Sequence, residues 1–530
     1  MNLTKALGSV GGLTLASRVL GLVRDSLFFR YVGANFASDA FQIAFRLPNM
    51  FRALFAEGAF SAAFIPMFNR KVAEGDKLAE SGAAEGSGLA LGLAFAEHAL
   101  SVLLPVLIVM TAIVELAAWP VTWVQTFGYG KGTAAQFDYI VLLNRLTFPY
   151  LLFISLVSLL GGILNSLHRF WVNAAAPILL NLTLIVAVVF FHTHDPMTTA
   201  RNQAVAVSVA GLLQFVWLWW ACRRAGVRLK LRWPVINDDV KRLMKLILPA
   251  AAGAGAVQIN LVISTALAAR FLPAGSVSYI YAADRLNQLP LGLIGIGLGT
   301  VLLPTVSRLL GAGREAEAME TQNRGMELAL LLTLPATVAL IVCGQPITAA
   351  LFEHGKFTAL NSYYTAQALA AFSIGLPSYI LVKVLTPGYY ARADTRTPVR
   401  FATWSMLINL VLNLIFIWWL GHMGPPLATA IASTVNVVLL YRTLARRGHF
   451  VADAQLRRRS WRMLLAALLM GVAMALLNAR FQPYVTGTNV ERWGALIALV
   501  VTGMLVYALA TFATGAFRLA DIRRLARRNS

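Results

Sequence analysis

Residues 17–66 decide the fold: SRVLGLVRDSLFFRYVGANFASDAFQIAFRLPNMFRALFAEGAFSAAFIP. The stretch is as apolar as a pair of membrane helices, yet charged residues interrupt it, among them Arg18, Arg24, Asp25, Asp39, Arg46, Arg52 and Glu57. A charge at the centre of a lipid-facing helix costs about 2.5–3.5 kcal/mol, so these arginines facing lipid would cost on the order of 10–14 kcal/mol. We therefore expect them to line a watery cavity or to snorkel at helix ends. A cationic cavity inside a membrane predicts an anionic cargo.

The overall composition is typical of a polytopic membrane protein. Of the 530 residues, 58% are hydrophobic and 13% are charged, roughly half of the charged share in a soluble protein. The net charge is +22, but the positive residues lie in loops between apolar segments, which is the pattern that sets membrane orientation. We therefore expect membrane lipids, and no nucleic acid, as partners of these loops.

Fourteen segments are apolar over a length of about 20 residues, enough to cross a bilayer. They lie near residues 6–30, 37–68, 88–113, 136–166, 174–193, 199–222, 243–269, 277–308, 326–346, 362–390, 398–419, 425–445, 460–479 and 493–514. The expected fold class is an all-α polytopic membrane protein with fourteen transmembrane helices. Residues 73–88, rich in Ala, Gly, Ser and Glu, are expected to form a flexible connector.

Basic loops alternate with loops that carry few positive charges. The basic set comprises 70–71, 168–169, 223–245, 308–324, 392–400, 442–462 and 523–528. By the positive-inside rule these loops are cytoplasmic. Both termini are therefore predicted to lie in the cytoplasm, which requires an even number of spans and agrees with fourteen.

A faint internal repeat predicts two lobes. Positions that match at shifts of 238 and 228 residues are Pro66 with Pro304, Arg70 with Arg308, and Asn181 with Asn409. An even number of spans separates the copies, so they have the same orientation and predict a site at their interface. We expect pseudo-symmetric six-helix lobes at 1–230 and 231–450, followed by a C-terminal helix pair and a basic tail at 451–530.

Polar residues of the first two segments recur at helical spacing. They are Ser17, Gly21 and Arg24 on one stripe, Arg18 and Asp25 on the next, and Asp39, Arg46, Asn49 and Arg52 on the second helix. Arginine suits phosphate recognition because its planar fork donates two charge-assisted hydrogen bonds to one oxyanion. The alternative is snorkelling with local ion pairs such as Arg24–Asp25. The clustering of several arginines in one short stretch favours the cavity.

The second half of the chain adds the pair Asp284–Arg285 and the intramembrane cation Lys383. The repeat predicts that the pair faces the same cavity, while an ion pair at a helix end and a snorkelled lysine explain these residues equally well. The glycine-rich run GLIGIGLG at 292–299 lies inside a span with no preceding strand. It therefore predicts close helix packing rather than a nucleotide-binding loop.

Motifs for catalysis are absent from the sequence, which has no Ser-His-Asp signature, zincin motif, P-loop or acid-rich metal motif. Cys222 and Cys343 lie in different segments and predict no disulfide framework. His192, His194 and Asp195 lack a further ligand nearby and predict an ordinary loop. A transporter, not an enzyme, is the expected class. A membrane enzyme acting on polyprenyl phosphates and a structural scaffold are the alternatives.

Three segments carry a family resemblance: SRVLGLVRD at 17–25, LPNMFRALFAEGAFSAAFIP at 47–66 and KVLTPGYYARADTRTPV at 383–399. They resemble the MurJ (MviN) lipid II flippases, which belong to the multidrug/oligosaccharidyl-lipid/polysaccharide exporter superfamily, and the resemblance extends over nearly the whole chain. It implies fourteen helices in two lobes plus a C-terminal pair. It also implies that the chain moves lipid II, the undecaprenyl-diphosphate-linked peptidoglycan precursor, from the inner to the outer leaflet of the bacterial cytoplasmic membrane by alternating access.

The resemblance implies a substrate site as well. The family's cavity residues fall on Ser17, Arg18, Arg24, Asp25, Asp39, Asn49, Arg52, Glu57 and Arg285. The arginines would grip the diphosphate, and a groove between the last two helices would take the polyprenyl tail. Lipid II is the expected partner, with cell-wall synthesis proteins as further ones. The alternative cargo on this fold is another polyprenyl-diphosphate-linked glycan or a drug.

The resemblance bears on energy coupling too. Some family members hold sodium with acidic and amide groups on the seventh and eleventh helices, whereas the eleventh segment here offers the neutral Asn409 and Asn413. We therefore expect no metal and no cofactor, with membrane potential or a coupled ion as the energy source. Family members also often have two basic residues where this chain has Arg52–Ala53, so one phosphate contact is expected to be missing or peripheral.

Overall fold

The structure, a computed structural model, describes residues 3–55, 59–80, 87–130 and 132–516. Within these ranges the chain forms nineteen α-helices and one short 3₁₀ turn, with no β-strand. The predicted all-α fold class is confirmed. The basic tail and residue Glu57 lie outside the described residues.

The chain divides into two compact units, residues 1–277 and 278–530. The helices of the first are α1 Leu3–Val32, α2 Phe36–Phe55, α3 Ala59–Glu80, α4 Ser87–Leu116, α5 Ala118–Thr126, α6 Ala134–Thr147, α7 Tyr150–Ser166, α8 Phe170–Phe190, α9 Pro196–Arg224 and α10 Asp238–Phe271. Those that follow are α11 Ser276–Gly311, α12 Glu315–Val342, α13 Gly344–Phe352, α14 Ala359–Ile374, α15 Leu376–Tyr390, α16 Arg396–Leu420, α17 Gly424–Arg446, α18 Ala454–Val485 and α19 Asn489–Ala513, with the 3₁₀ turn Gly421–Met423 after α16. The division at 230 and 450 stays a prediction.

Ten helical stretches among the described residues are long and apolar enough to cross a membrane. This makes the chain a multi-pass membrane protein. The number fourteen is consistent with this fold and stays a prediction. Helices α1 and α2 are not among the ten stretches, and these are the helices that carry the charged residues of the 17–66 segment.

In the first unit, α1 packs against α8, α3 against α4, and α9 against α7 and α8. Aromatic rings fill the contact between α3 and α4. Phe64 stacks on Phe60 with a centroid distance of 5.3 Å and on Phe95 with a centroid distance of 5.5 Å. These rings hold α3 against α4, while the packing of α1 on α8 brings Arg24 of α1 against Asn181 of α8.

In the second unit, the helix pair α18–α19 packs on α12 and α13. A Cβ placed on Gly471 of α18 would lie 2.5 Å from Val338 Cγ1 of α12, so the two backbones approach closely there. Arg324 of α12 pairs with Glu327 and with Asp453, which caps α18. On α19, Arg492 donates to Glu353 Oε1 at 3.0 Å.

The expected flexible connector at 73–88 is wrong for its first half. Helix α3 continues to Glu80, because Ala, Glu and Lys in this segment are good helix formers. Lys71 of α3 pairs with Asp239 of α10 at 3.1 Å, which anchors this polar end of the helix. Residues 81–86 lie outside the described ranges.

The glycine run at 292–299 is helical, inside α11, as the helix-packing interpretation predicted. A Cβ on Gly295 would lie 2.8 Å from the Lys383 Nζ atom of α15. The missing side chain therefore lets the lysine lie directly against α11.

Candidate functional site

Arg24 is the most enclosed arginine of the 17–66 stretch, with 6% of its surface exposed. Its Nε and Nη2 atoms donate to Asp25 Oδ1 at 2.9 and 2.6 Å. Its Nη1 atom donates to Asn181 Oδ1 of α8 at 3.0 Å. Asn181 in turn donates to the Ser17 carbonyl at 2.8 Å. The structure therefore brings three predicted site residues together around an amide on α8.

This arrangement contains the local ion pair that the sequence offered as an alternative to a cavity. The Arg24–Asp25 pair is buried, with side-chain exposures of 7% and 5%, and Arg24 faces α8, while the cavity stays a prediction. Removing one partner of a buried pair leaves an uncompensated charge and typically destabilises by about 3–5 kcal/mol. Asp25 therefore stabilises Arg24 as a cation inside the protein.

Asn181 is a residue that sequence reasoning assigned only to the repeat. It lies in the middle of α8, a 21-residue apolar helix, and is buried. A buried amide in such a helix must find hydrogen-bond partners. An amide in an apolar segment was the signal by which the sequence could have marked this residue. The sequence could not show that its partner is Arg24, 157 residues away.

Arg18 lies six residues before Arg24, about 9 Å along α1, and is half-buried. Ser17 is also half-buried. Helix α1 thus carries Arg18 one and a half to two turns before Arg24, on the neighbouring stripe of the helix.

Asp39 occupies the first turn of α2 and has 3% of its surface exposed. Its Oδ2 atom accepts a hydrogen bond of 2.6 Å from the Gly275 amide, in the turn that follows α10. Burial, followed by the charge of the Asp39 carboxylate, raises the pKa of Tyr129 to about 12. Asp39 therefore joins the beginning of α2 to the turn that follows α10.

Further along α2, three polar side chains succeed one another. Arg46 Nη2 donates to Thr265 Oγ1 of α10 at 3.0 Å. Arg52 Nε donates to Asn49 Oδ1 at 3.0 Å, and both residues are half-buried. Asn49 therefore orients the Arg52 fork. Thr265 is a second residue whose role was not predicted, although it stands at a polar position of the seventh segment.

Arg285 belongs to the second unit, on α11, and is half-buried. Its Cζ atom lies 5.8 Å from the centroid of the Tyr281 ring. The neighbouring Asp284 accepts from Gln288 at 2.6 Å. Whether Arg285 shares a chamber with the α1 and α2 arginines stays a prediction, as does the assignment of all nine substrate-binding residues.

Residues considered as metal or sodium ligands have other partners. Asp195 caps α9 by accepting from Met197 and Thr198 amides. Asn413 donates to Asn409, which donates to Thr429, both at 3.0 Å. Within the described ranges, no three His, Cys, Asp or Glu side chains gather in a way that could hold a metal ion.

Helices of membrane-spanning length that enclose Arg24 between α1 and α8 define a polytopic membrane protein. A family model described as "Lipid II flippase MurJ" matches residues 28–493. A probable lipid II flippase MurJ of Rhizobium tropici is 40% identical over 99% of this chain and 96% of its own length. The chain therefore belongs to the lipid II flippase MurJ family, which comprises transporters rather than enzymes.

Solved structures support the same fold. A lipid II flippase MurJ in an inward closed conformation is 24% identical, covers 95% of this chain and 97% of its own, and has a TM-score of 0.75. An inward-facing multidrug resistance MATE family transporter of the MOP superfamily is 14% identical, covers 81% and 94%, and has a TM-score of 0.66. Because the two sequences are less than 25% identical to this chain, their similarity shows a shared fold alone.

Proposed function

We propose that this chain flips lipid II from the inner to the outer leaflet of the bacterial cytoplasmic membrane. Family membership supports the cargo class. The observation that carries the proposal is the enclosed Arg24, held as a cation by Asp25 and Asn181. A fixed guanidinium inside a membrane protein suits an anionic headgroup that must cross the bilayer.

In this proposal the diphosphate of the cargo competes with Asp25 for Arg24. Asp25 compensates the arginine while the site is empty, and the incoming diphosphate supplies new acceptors for the guanidinium. Arg18, Arg52 and Arg285 add further fork-shaped donors, and the remaining members of the proposed set are Ser17, Asp39, Asn49 and Glu57. No bond of the cargo is broken in this proposal. The cargo is translocated, and the protein does so by alternating access.

Orientation and energy source belong to the same proposal. The basic loops support cytoplasmic termini in the inner membrane. A net positive site would respond to the membrane potential, since each elementary charge that crosses the full field is worth about 2.3 kcal/mol per 100 mV. We propose the potential, or an ion coupled to it, as the driving force, with no cofactor. Cell-wall synthesis proteins are the proposed further partners.

The second candidate is export of another polyprenyl-diphosphate-linked glycan, because Arg24 and its neighbours would recognise the shared diphosphate. A drug exporter for cations is disfavoured, since arginines would repel such a cargo. The two glycan cargoes differ in their sugars, so competition between purified lipid II and an undecaprenyl diphosphate that carries another glycan, for binding to the isolated protein, separates them.

The test is leaflet-specific labelling of lipid II in cells depleted of the native copy. Arg24→Ala should abolish outward labelling, measured per amount of protein in the membrane, because the unpaired Asp25 also lowers stability. Arg30→Ala is the matched control, because Arg30 lies on the same helix but is exposed near its end. Normal labelling with Arg24→Ala, or equal loss with Arg30→Ala, would overturn the proposal.

A further inference from the structure

A surface at the end of the α8–α9 hairpin is rich in tryptophan and arginine, and its two arginines were considered above only as part of a basic loop. We call it the tryptophan–arginine surface; its members are Trp171, Trp217, Trp219, Trp220, Arg223 and Arg224. The rings of Trp171, Trp219 and Trp220 are 51%, 41% and 42% exposed. Both arginines are exposed as well. The surface lies on α9 and the first turn of α8, and none of its members belongs to the proposed cargo site.

Each arginine of this surface stacks on a tryptophan one helical turn before it. Arg223 Cζ lies 4.1 Å from the Trp219 ring centroid, and Arg224 Cζ lies 4.0 Å from that of Trp220. Such cation–π contacts hold a guanidinium by its face. Its N–H groups lie in the guanidinium plane and remain directed outward at its edge, where they can bind an oxyanion.

The ring beneath Arg224 packs against a further tryptophan. Trp217 lies 5.8 Å from Trp220 and 6.1 Å from Trp171, measured between ring centroids. The Trp217 indole donates to the Val172 carbonyl of α8 at 3.2 Å. Arg224 therefore loses little conformational freedom on binding a ligand, which favours affinity. No carboxylate among the described residues forms an ion pair with Arg223 or Arg224.

The length of α9 sets the depth of this surface. The helix has 29 residues and is about 43 Å long, longer than the roughly 30 Å hydrocarbon core. Its last turns therefore reach the headgroup layer, where tryptophan is favoured. Toward the bilayer centre, exposed Leu212, Leu213 and Val216 of α9 provide an apolar surface for acyl chains.

We propose that the tryptophan–arginine surface binds the headgroup phosphate of an anionic phospholipid. The charge of the two arginines complements the phosphate, the tryptophans lie at the level of the glycerol backbone, and the apolar residues of α9 contact the chains. The cargo's diphosphate shares the oxyanion chemistry. We commit to the phospholipid because the tryptophans and arginines of this surface are exposed on α9.

The experiment is native mass spectrometry of the full-length protein in a neutral detergent, titrated with phosphatidylglycerol or with phosphatidylcholine. Replacing both arginines by glutamine, R223Q/R224Q, should weaken phosphatidylglycerol binding roughly ten- to thirtyfold. Phosphatidylcholine binding should stay unchanged. R223K/R224K should retain part of the affinity, because it keeps the charge and loses the planar fork.

R457Q/R458Q is the matched control. It removes two exposed adjacent arginines at the start of α18, which have no tryptophan beneath them. Equal weakening in both double variants would show a general charge effect and overturn the site. Loss of undecaprenyl diphosphate binding, with phosphatidylglycerol binding intact, would assign the surface to the cargo instead. Neither result bears on Arg24, so the proposed function is tested separately.

Discussion

The carboxylate of Asp39 in α2 accepts a hydrogen bond from the backbone amide of Gly275, 236 residues later in the sequence. Gly275 has a φ of +96°, a conformation that favours glycine. The bond therefore joins a buried charge to a turn whose geometry depends on one residue type. It links the start of α2 to the end of α10, within the first compact unit.

Asp39→Ala should destabilise the protein, because the Gly275 amide loses a charged acceptor worth about 1.5–3 kcal/mol. Asp39→Asn should lose less, since one amide oxygen can still accept. The measurement is the thermal unfolding temperature of the purified protein in detergent. Asp138→Ala, at an exposed aspartate of α6, is the control and should leave this temperature unchanged. An equal fall in both alanine variants would argue against the tie.

Asp25→Asn should lower the unfolding temperature of the empty protein, because Arg24 is left buried without its counterion, at a cost of about 3–5 kcal/mol. Adding undecaprenyl diphosphate should raise this temperature more in the variant than in the wild type, since the ligand replaces the missing charge. An equal rise in both proteins would contradict the proposed competition between Asp25 and the diphosphate.

At low pH the loop between α15 and α16 should contribute less to the stability of the folded protein. Hydrogen bonds from Thr397, followed by the Arg447 guanidinium, lower the pKa of Asp394 to about 2, from an ordinary value of about 3.9. Because the folded-state pKa is depressed, the stabilisation is present above about pH 4 and is lost as the pH falls toward 2. The unfolding temperature of Asp394→Asn should therefore vary less than that of the wild type over this window. Parallel curves would refute the assignment.

Gly471→Leu should separate α18 from α12, since even a Cβ would lie 2.5 Å from Val338 Cγ1. Overpacking of this kind typically costs about 1–3 kcal/mol. Gly494→Leu, on α19, is the control, because a Cβ there meets nothing within 4 Å. A fluorescence-based thermal unfolding assay should show a lower temperature for Gly471→Leu alone. If both variants unfold at the same temperature as the wild type, α18 does not approach α12 closely at Gly471.

Part of the candidate site could be predicted because it depends on neighbours in the sequence. The Arg24–Asp25 pair is adjacent, and Arg52 and Asn49 are three residues apart, which is the spacing of helical neighbours. The stacking of Arg223 on Trp219 follows the same helical spacing. Local geometry fixes such contacts once the helix forms.

The first half of the connector at 73–88 was predicted incorrectly, because its glycines were given more weight than its helix-forming Ala, Glu and Lys residues. Glycine and small residues indicated a flexible segment, yet α3 continues to Glu80. The pair formed by Lys71 and Asp239 joins this helix to α10. A partner so distant in sequence could not be recognised from the segment itself.

The sequence by itself determined that this protein is a helical, multi-pass membrane protein with arginines that lipid cannot accommodate, because hydrophobicity and charge act on each segment separately. Only the tertiary structure decided which groups compensate those charges. Asn181 meets Arg24, Thr265 meets Arg46 and Gly275 meets Asp39 because helix packing brings together residues that are far apart in the chain. A buried charge must find a partner, but the sequence does not state where in space that partner lies.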